Sequence, residues 1–147
     1  MKTLRFFILS IIMLVLLVGC DPEEKEPTIS NLSVCDTTFT DHNGCDNHHN
    51  EISNSAAFIT GAVTVDEIPF ESSFQFSILS DGEVLGSSPL TSISSVLNED
   101  DLSDRGQVFG YTWKLTEGQM WSAGNFTMEV TFNTVPELKT SKIYLIQ

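Results

Sequence analysis

From Ser73 to Ser80 the chain alternates strictly, with Phe74, Phe76 and Ile78 on one side and Gln75 and Ser77 on the other. Successive side chains of a strand point to opposite faces, so this pattern predicts a half-buried β-strand. The alternation returns from Asn125 to Phe132, where Phe126, Met128, Val130 and Phe132 face inward and Thr127, Glu129 and Thr131 outward. Gln107 to Leu115 sets Phe109, Tyr111, Trp113 and Leu115 on one side. Thr28 to Cys35, the β-branched run Phe58 to Val65, and Lys142 to Ile146 read as further strands, and Leu90 to Leu97 as a weaker one. Asp81-Gly82 is a hairpin turn signal, after which Glu83 to Gly86 returns the chain. About seven short strands, punctuated by turn residues, predict an all-β, two-sheet antiparallel sandwich over residues 28–147.

The first 19 residues break this pattern. Lys2 and Arg5 precede an apolar run from Phe6 to Val18 that only Ser10 interrupts. A spanning helix needs about 20 apolar residues, so the run is short for a membrane span and fits the apolar region of a secretory signal helix. Its end, Leu17-Val18-Gly19-Cys20, resembles the lipobox of bacterial lipoproteins. The resemblance implies cleavage before Cys20 and diacylglyceryl transfer to its thiol, hence anchoring to membrane by lipid. Two or three acyl chains hold stably where one does not.

Residues 20–27 then form a charged, proline-bracketed tether, Asp21-Pro22-Glu23-Glu24-Lys25-Glu26-Pro27, expected to be extended and solvated. Acidic residues with a lysine at this place resemble the surface-export signals of some gram-negative lipoproteins, while Asp directly after the cysteine implies inner-membrane retention in others. The outer membrane is the favoured expectation.

The whole chain carries a net charge of −13. Without Lys2 and Arg5, five basic residues stand against 20 acidic ones, a net of −15. Such a surface repels phosphate and excludes nucleic acid as a partner. It also repels anionic headgroups, so the expected contact with membrane is the lipid. A protein or glycan at the cell surface is the expected partner class.

With Cys20 taken by lipid, Cys35 and Cys45 are an even pair in an oxidising compartment, which predicts a disulfide. Two free thiols or metal ligation is the alternative. The pair lies in a long polar excursion, Cys35 to Asn54, that holds all three histidines. His42, Asp46, His48 and His49 are the candidate ligands of a divalent metal, zinc or calcium, on the strength of their donor types. The spacing matches no established pattern. Counted from Asp41 as a calcium loop, Asp46 falls where glycine is needed and Ile52 where glutamate is needed. A disulfide-pinned polar loop is the simpler reading. Asn98 to Asp104 is a carboxylate run that suits calcium or a solvated turn.

No Gly-x-Ser-x-Gly elbow and no phosphate-cradling glycine loop occurs, and the chain reads as a non-enzyme without a required cofactor. Tyr111, Trp113 and Trp121 could form an exposed platform for sugar, but their places on alternating strands favour core packing.

Trp121-Ser122-Ala123-Gly124-Asn125-Phe126-Thr127-Met128-Glu129-Val130, followed by a last strand, resembles the end of immunoglobulin-like domains in bacterial exported proteins. The resemblance implies a sandwich used as a spacer or a binding, adhesion or assembly module. The chain departs from antibody-type domains in two respects: Cys35 and Cys45 are too close in sequence to bridge the two sheets, and Phe126 stands where a tyrosine is common.

Overall fold

The structure, a computed structural model, describes residues 25–39, 45, 50–97, 106–134 and 137–147. Nine strands make two sheets: β1 (Thr28–Cys35), β2 (Glu51–Ile52), β3 (Phe58–Asp66), β4 (Ser73–Ser80), β5 (Glu83–Ser87), β6 (Thr91–Ser92), β7 (Gln107–Lys114), β8 (Gly124–Phe132) and β9 (Leu138–Ile146). One sheet has the order β1-β3-β7. The other runs β2-β9-β8-β4-β5, with β6 also on β4. The all-β sandwich expected from the alternation is therefore the observed fold.

The inward residues meet between the sheets. Phe76, Met128, Val130 and Phe132 from the larger sheet pack on Ile59, Val63 and Val65 of β3 and on Phe109 of β7. Phe74, Phe109 and Phe132 form an aromatic triangle with centroids 5.0, 5.6 and 5.8 Å apart. Gly61 lets the sheets approach there, since a Cβ on it would stand 2.9 Å from Met128 Sδ and 3.0 Å from Phe76 Cδ1.

Several details were not in the local pattern. Ile29 pairs with Val65 and Val34 with Gly61, so both sit on the core side although they are five residues apart. An extra residue between Ser30 and Ser33 makes this possible: a bulge restores the facing that odd spacing would invert. Asn31 takes the left-handed conformation there (φ 53°), which asparagine tolerates better than most residues. Asp81 and Gly82 both have positive φ, 50° and 83°, as the hairpin signal requires.

The expected strand from Leu90 to Leu97 is corrected to the short β6 and a 3₁₀ turn, Ile93–Ser95. Only Ile93 of that turn is buried, so no alternating face exists to hold a longer strand. The last strand begins at Leu138 rather than Lys142, since Lys139 and Thr140 continue the pairing with β8. Leu115 falls beyond the end of β7.

Between the pole where β3 begins and the pole where it ends lie nine residues of strand. At the second pole Lys25 Nζ meets Glu67 Oε1 at 2.9 Å, an exposed pair that links the tether to the turn after β3.

Candidate functional site: an aromatic cleft between two free edges

The two long sides of the sandwich differ. On one, β1 lies against β9. On the other stand β5 and β7, each the last strand of its sheet among the described residues. An inter-sheet cleft with a cavity of about 260 Å³ lies on this side, toward the first pole. Ile59, Ile78 and Phe126 form part of its floor, and Leu85, Trp113, Met120 and Trp121 also line it.

Each aromatic wall has a local cause. Trp113 pairs with Ile59 across β3–β7, which puts it on the core-facing side of an edge strand. Tyr111 braces it edge-on, with ring centroids 4.7 Å apart. Trp121 belongs to the β7–β8 connection and is held by two hydrogen bonds. Its Nε1–H donates to the Ala56 carbonyl at 2.9 Å, and its backbone N–H to the Asn54 carbonyl at 2.9 Å.

The opposite wall comes from an irregularity. Val84 pairs with Leu79 and Gly86 with Ile78, which leaves Leu85 as the extra residue of a bulge. Leu85 thereby joins Gly86 as a cleft residue while staying 60% exposed. Gly86 faces the tryptophan directly, with a Cβ there standing 3.9 Å from Trp113 Nε1. Met120, 62% exposed, completes the rim.

Tyr144 also lines the cleft and is 1% exposed. Among the described residues its hydroxyl has no hydrogen-bond partner. Burial pushes its pKa above the ordinary tyrosine range. The unfolded chain would release this proton near pH 10, and above that value the folded state binds more protons than the unfolded one. The contribution to stability is thus present below about pH 10 and is lost as pH rises from there through the folded pKa. Tyr144→Phe should raise stability by about 1 kcal/mol at neutral pH, because an unpaired buried polar group is removed. It should also shallow the alkaline loss. Urea titration on both sides of pH 10 measures both effects, and a destabilised variant would show that the hydroxyl is in fact satisfied.

The sequence-predicted residues divide between described and undescribed segments. Cys20, His42, Asp46, His48, His49 and the run Asn98 to Asp104 lie outside the described residues. Among the described residues no group of three or more His, Cys, Asp or Glu could hold a metal ion.

Cys35 and Cys45 are joined in a disulfide with Cα atoms 5.6 Å apart. The bridge lies on the outer face of the three-stranded sheet, packed on Ala62 together with Phe39. The Phe39 ring occupies the space a side chain at Gly110 would take, and its backbone N–H donates to Thr112 Oγ1 at 3.0 Å. Thr60 Oγ1 bonds Thr112 Oγ1 at 2.8 Å and donates to the Thr37 carbonyl. These contacts pin a flap on the outer face, away from the cleft.

Tyr111, Trp113 and Trp121 pack on the core as expected, Trp121 from the β7–β8 connection rather than from a strand, and the two tryptophans line the cleft as well. Sequence reasoning missed this double role. The available signal was the strand Gln107–Lys114 with two partly exposed aromatics on its inner side.

No family model matches the chain, and no curated protein matches it. Among solved structures, it is similar to the soluble domain of PmoD from Methylocystis sp. ATCC 49242, with a TM-score of 0.44 and 14% identity. That similarity covers 81% of this chain and 90% of the other.

Proposed function

We propose that this chain is an exported lipoprotein of a bacterial cell envelope, anchored through Cys20, favoured in the outer membrane, whose sandwich is a non-catalytic binding module. The cleft is the observation that carries the binding role. A cavity of about 150 Å³ accepts benzene, so 260 Å³ suits one ring-sized apolar group. Two tryptophans and an exposed rim of Leu85 and Met120 support occupancy by a partner rather than by the chain's own core. The motif Leu17 to Cys20 supports the anchor, and the disulfide supports an oxidising compartment.

Both parts are testable on the full chain. Wild-type cells fed labelled palmitate should yield a labelled, membrane-sedimenting protein, and Cys20→Ala should lose the label. Equal labelling of the variant rejects the anchor. The chain's two tryptophans both line the cleft, so its indole emission reports on that site alone. In neutral detergent, quenching by 4-nitrobenzyl alcohol should saturate. Gly86→Leu, which fills the cavity, should leave only a linear response. Linear quenching of the wild type rejects the cleft as a binding site.

A further inference from the structure

We infer that the cleft is one pocket of a peptide-docking edge: an extended, basic segment of a partner protein adds as a strand to β5 and sets one large apolar side chain between Leu85 and Trp113. This rests on the binding role proposed above and names the class of partner.

The backbone makes the first argument. β5 pairs only with β4, so among the described residues its other edge carries unpaired amide and carbonyl groups. Of the common guards of a sheet edge, β5 (Glu83-Val84-Leu85-Gly86-Ser87) carries a bulge and one terminal carboxylate but neither lysine nor proline. Val84 and Leu85 are both 60% exposed on it. Strand addition satisfies such an edge with main-chain hydrogen bonds, while pockets for alternate side chains supply specificity.

Position makes the second. The larger sheet ends at β5 and the smaller at β7, on the same open side of the sandwich. A strand beyond β5 extends the larger sheet and turns every other side chain toward the inner side of β7, where Trp113 and Tyr111 stand half-buried. The bulge at Leu85 opens the wall at that level, and Gly86 leaves it bare of side chain.

Charge selects among occupants. Asp81 and Glu83 are exposed at the start of β5 and Glu117 on the β7–β8 connection, against Lys114 at the end of β7. With −13 overall, a second copy of this chain would bring like charge to the same edge. An anionic membrane would be repelled equally. A segment with lysine or arginine beside its apolar anchor meets complementary potential.

The test titrates the full chain in neutral detergent with the N-acetylated, C-amidated peptide Lys-Thr-Val-Phe-Val-Thr-Lys, read by tryptophan emission. Saturable binding is expected. Replacing phenylalanine by alanine should abolish it, N-methylation of alternate amides on the strand-pairing side should abolish it, and glutamate for both lysines should weaken it about tenfold or more at low salt. Leu85→Lys should weaken the lysine peptide and improve the glutamate one. Full affinity in the N-methylated peptide overturns strand addition, and full affinity without phenylalanine overturns the pocket. Peptide-independent dimerisation through β5, or saturation by a neutral disaccharide with no response to the peptide, also overturns the proposal. Saturable quenching by nitrobenzyl alcohol with no peptide binding overturns the proposal alone, whereas loss of both responses overturns the cleft reading itself.

Discussion

Phe76→Ala should remove about 3–5 kcal/mol of stability, seen as a lower urea midpoint with little change in slope. Phe76 is fully buried at the middle of β4, pairs with Val130 and meets Phe74 edge-on with centroids 6.0 Å apart. Across the sheet interface it faces Gly61, which has no side chain to move into the vacated space. The void would therefore persist, and a persisting cavity adds to the lost transfer energy. Ile143→Ala is the control: Ile143 is 69% exposed on the outer face of β9, and the change should stay within about 0.5 kcal/mol. A Phe76→Ala loss as small as the control's would contradict the packing of the two sheets.

Replacing Cys35 and Cys45 together by serine should lower stability by about 2–3 kcal/mol, the loop-entropy value for a bridge between residues 10 apart in sequence. The measurement is the urea midpoint of the oxidised wild type against the double variant, with reduced wild type expected to match the variant. The flap contacts make a local prediction as well. The Phe39 amide, bonded to Thr112 Oγ1, should exchange its hydrogen faster once the bridge is gone. The cleft, on the other side of the three-stranded sheet, should keep its quenching curve. A loss under about 1 kcal/mol would show that Phe39 and the threonines hold the flap without the disulfide.

Strands that alternate over their whole length were readable, because period-two patterning reports one buried face. β4 and β8 supply most of the larger sheet's share of the core in this way. What escaped was long-range. β2 pairs in parallel with β9, some 94 residues away at Glu51–Leu145, and nothing local to Glu51 and Ile52 announces it. The bulge near Asn31 was hidden because Ile29 and Val34 have opposite parity in the sequence and the same facing in the fold. The cleft was hidden for a similar reason. It arises where two sheets end, and sheet ends are a property of topology rather than of any one segment. Trp113 looked like core because its strand alternates correctly. That it stands on an edge depends on the partner beyond it. The disulfide followed from cysteine arithmetic, but its seat on the outside of the sheet depends on Ala62 and Gly110, two small residues on neighbouring strands.

The Lys25–Glu67 contact fixes where the chain enters the sandwich. Entry is at the pole where β3 ends, whereas Ile59 and Trp113 mark the cleft near the pole where β3 begins. At about 3.3 Å per residue, the seven-residue interval from Ile59 to Asp66 separates them by roughly 23 Å. A ligand seated between Ile59 and Trp113 would therefore sit a strand's length from the point where the N-terminal segment joins the sandwich, clear of it.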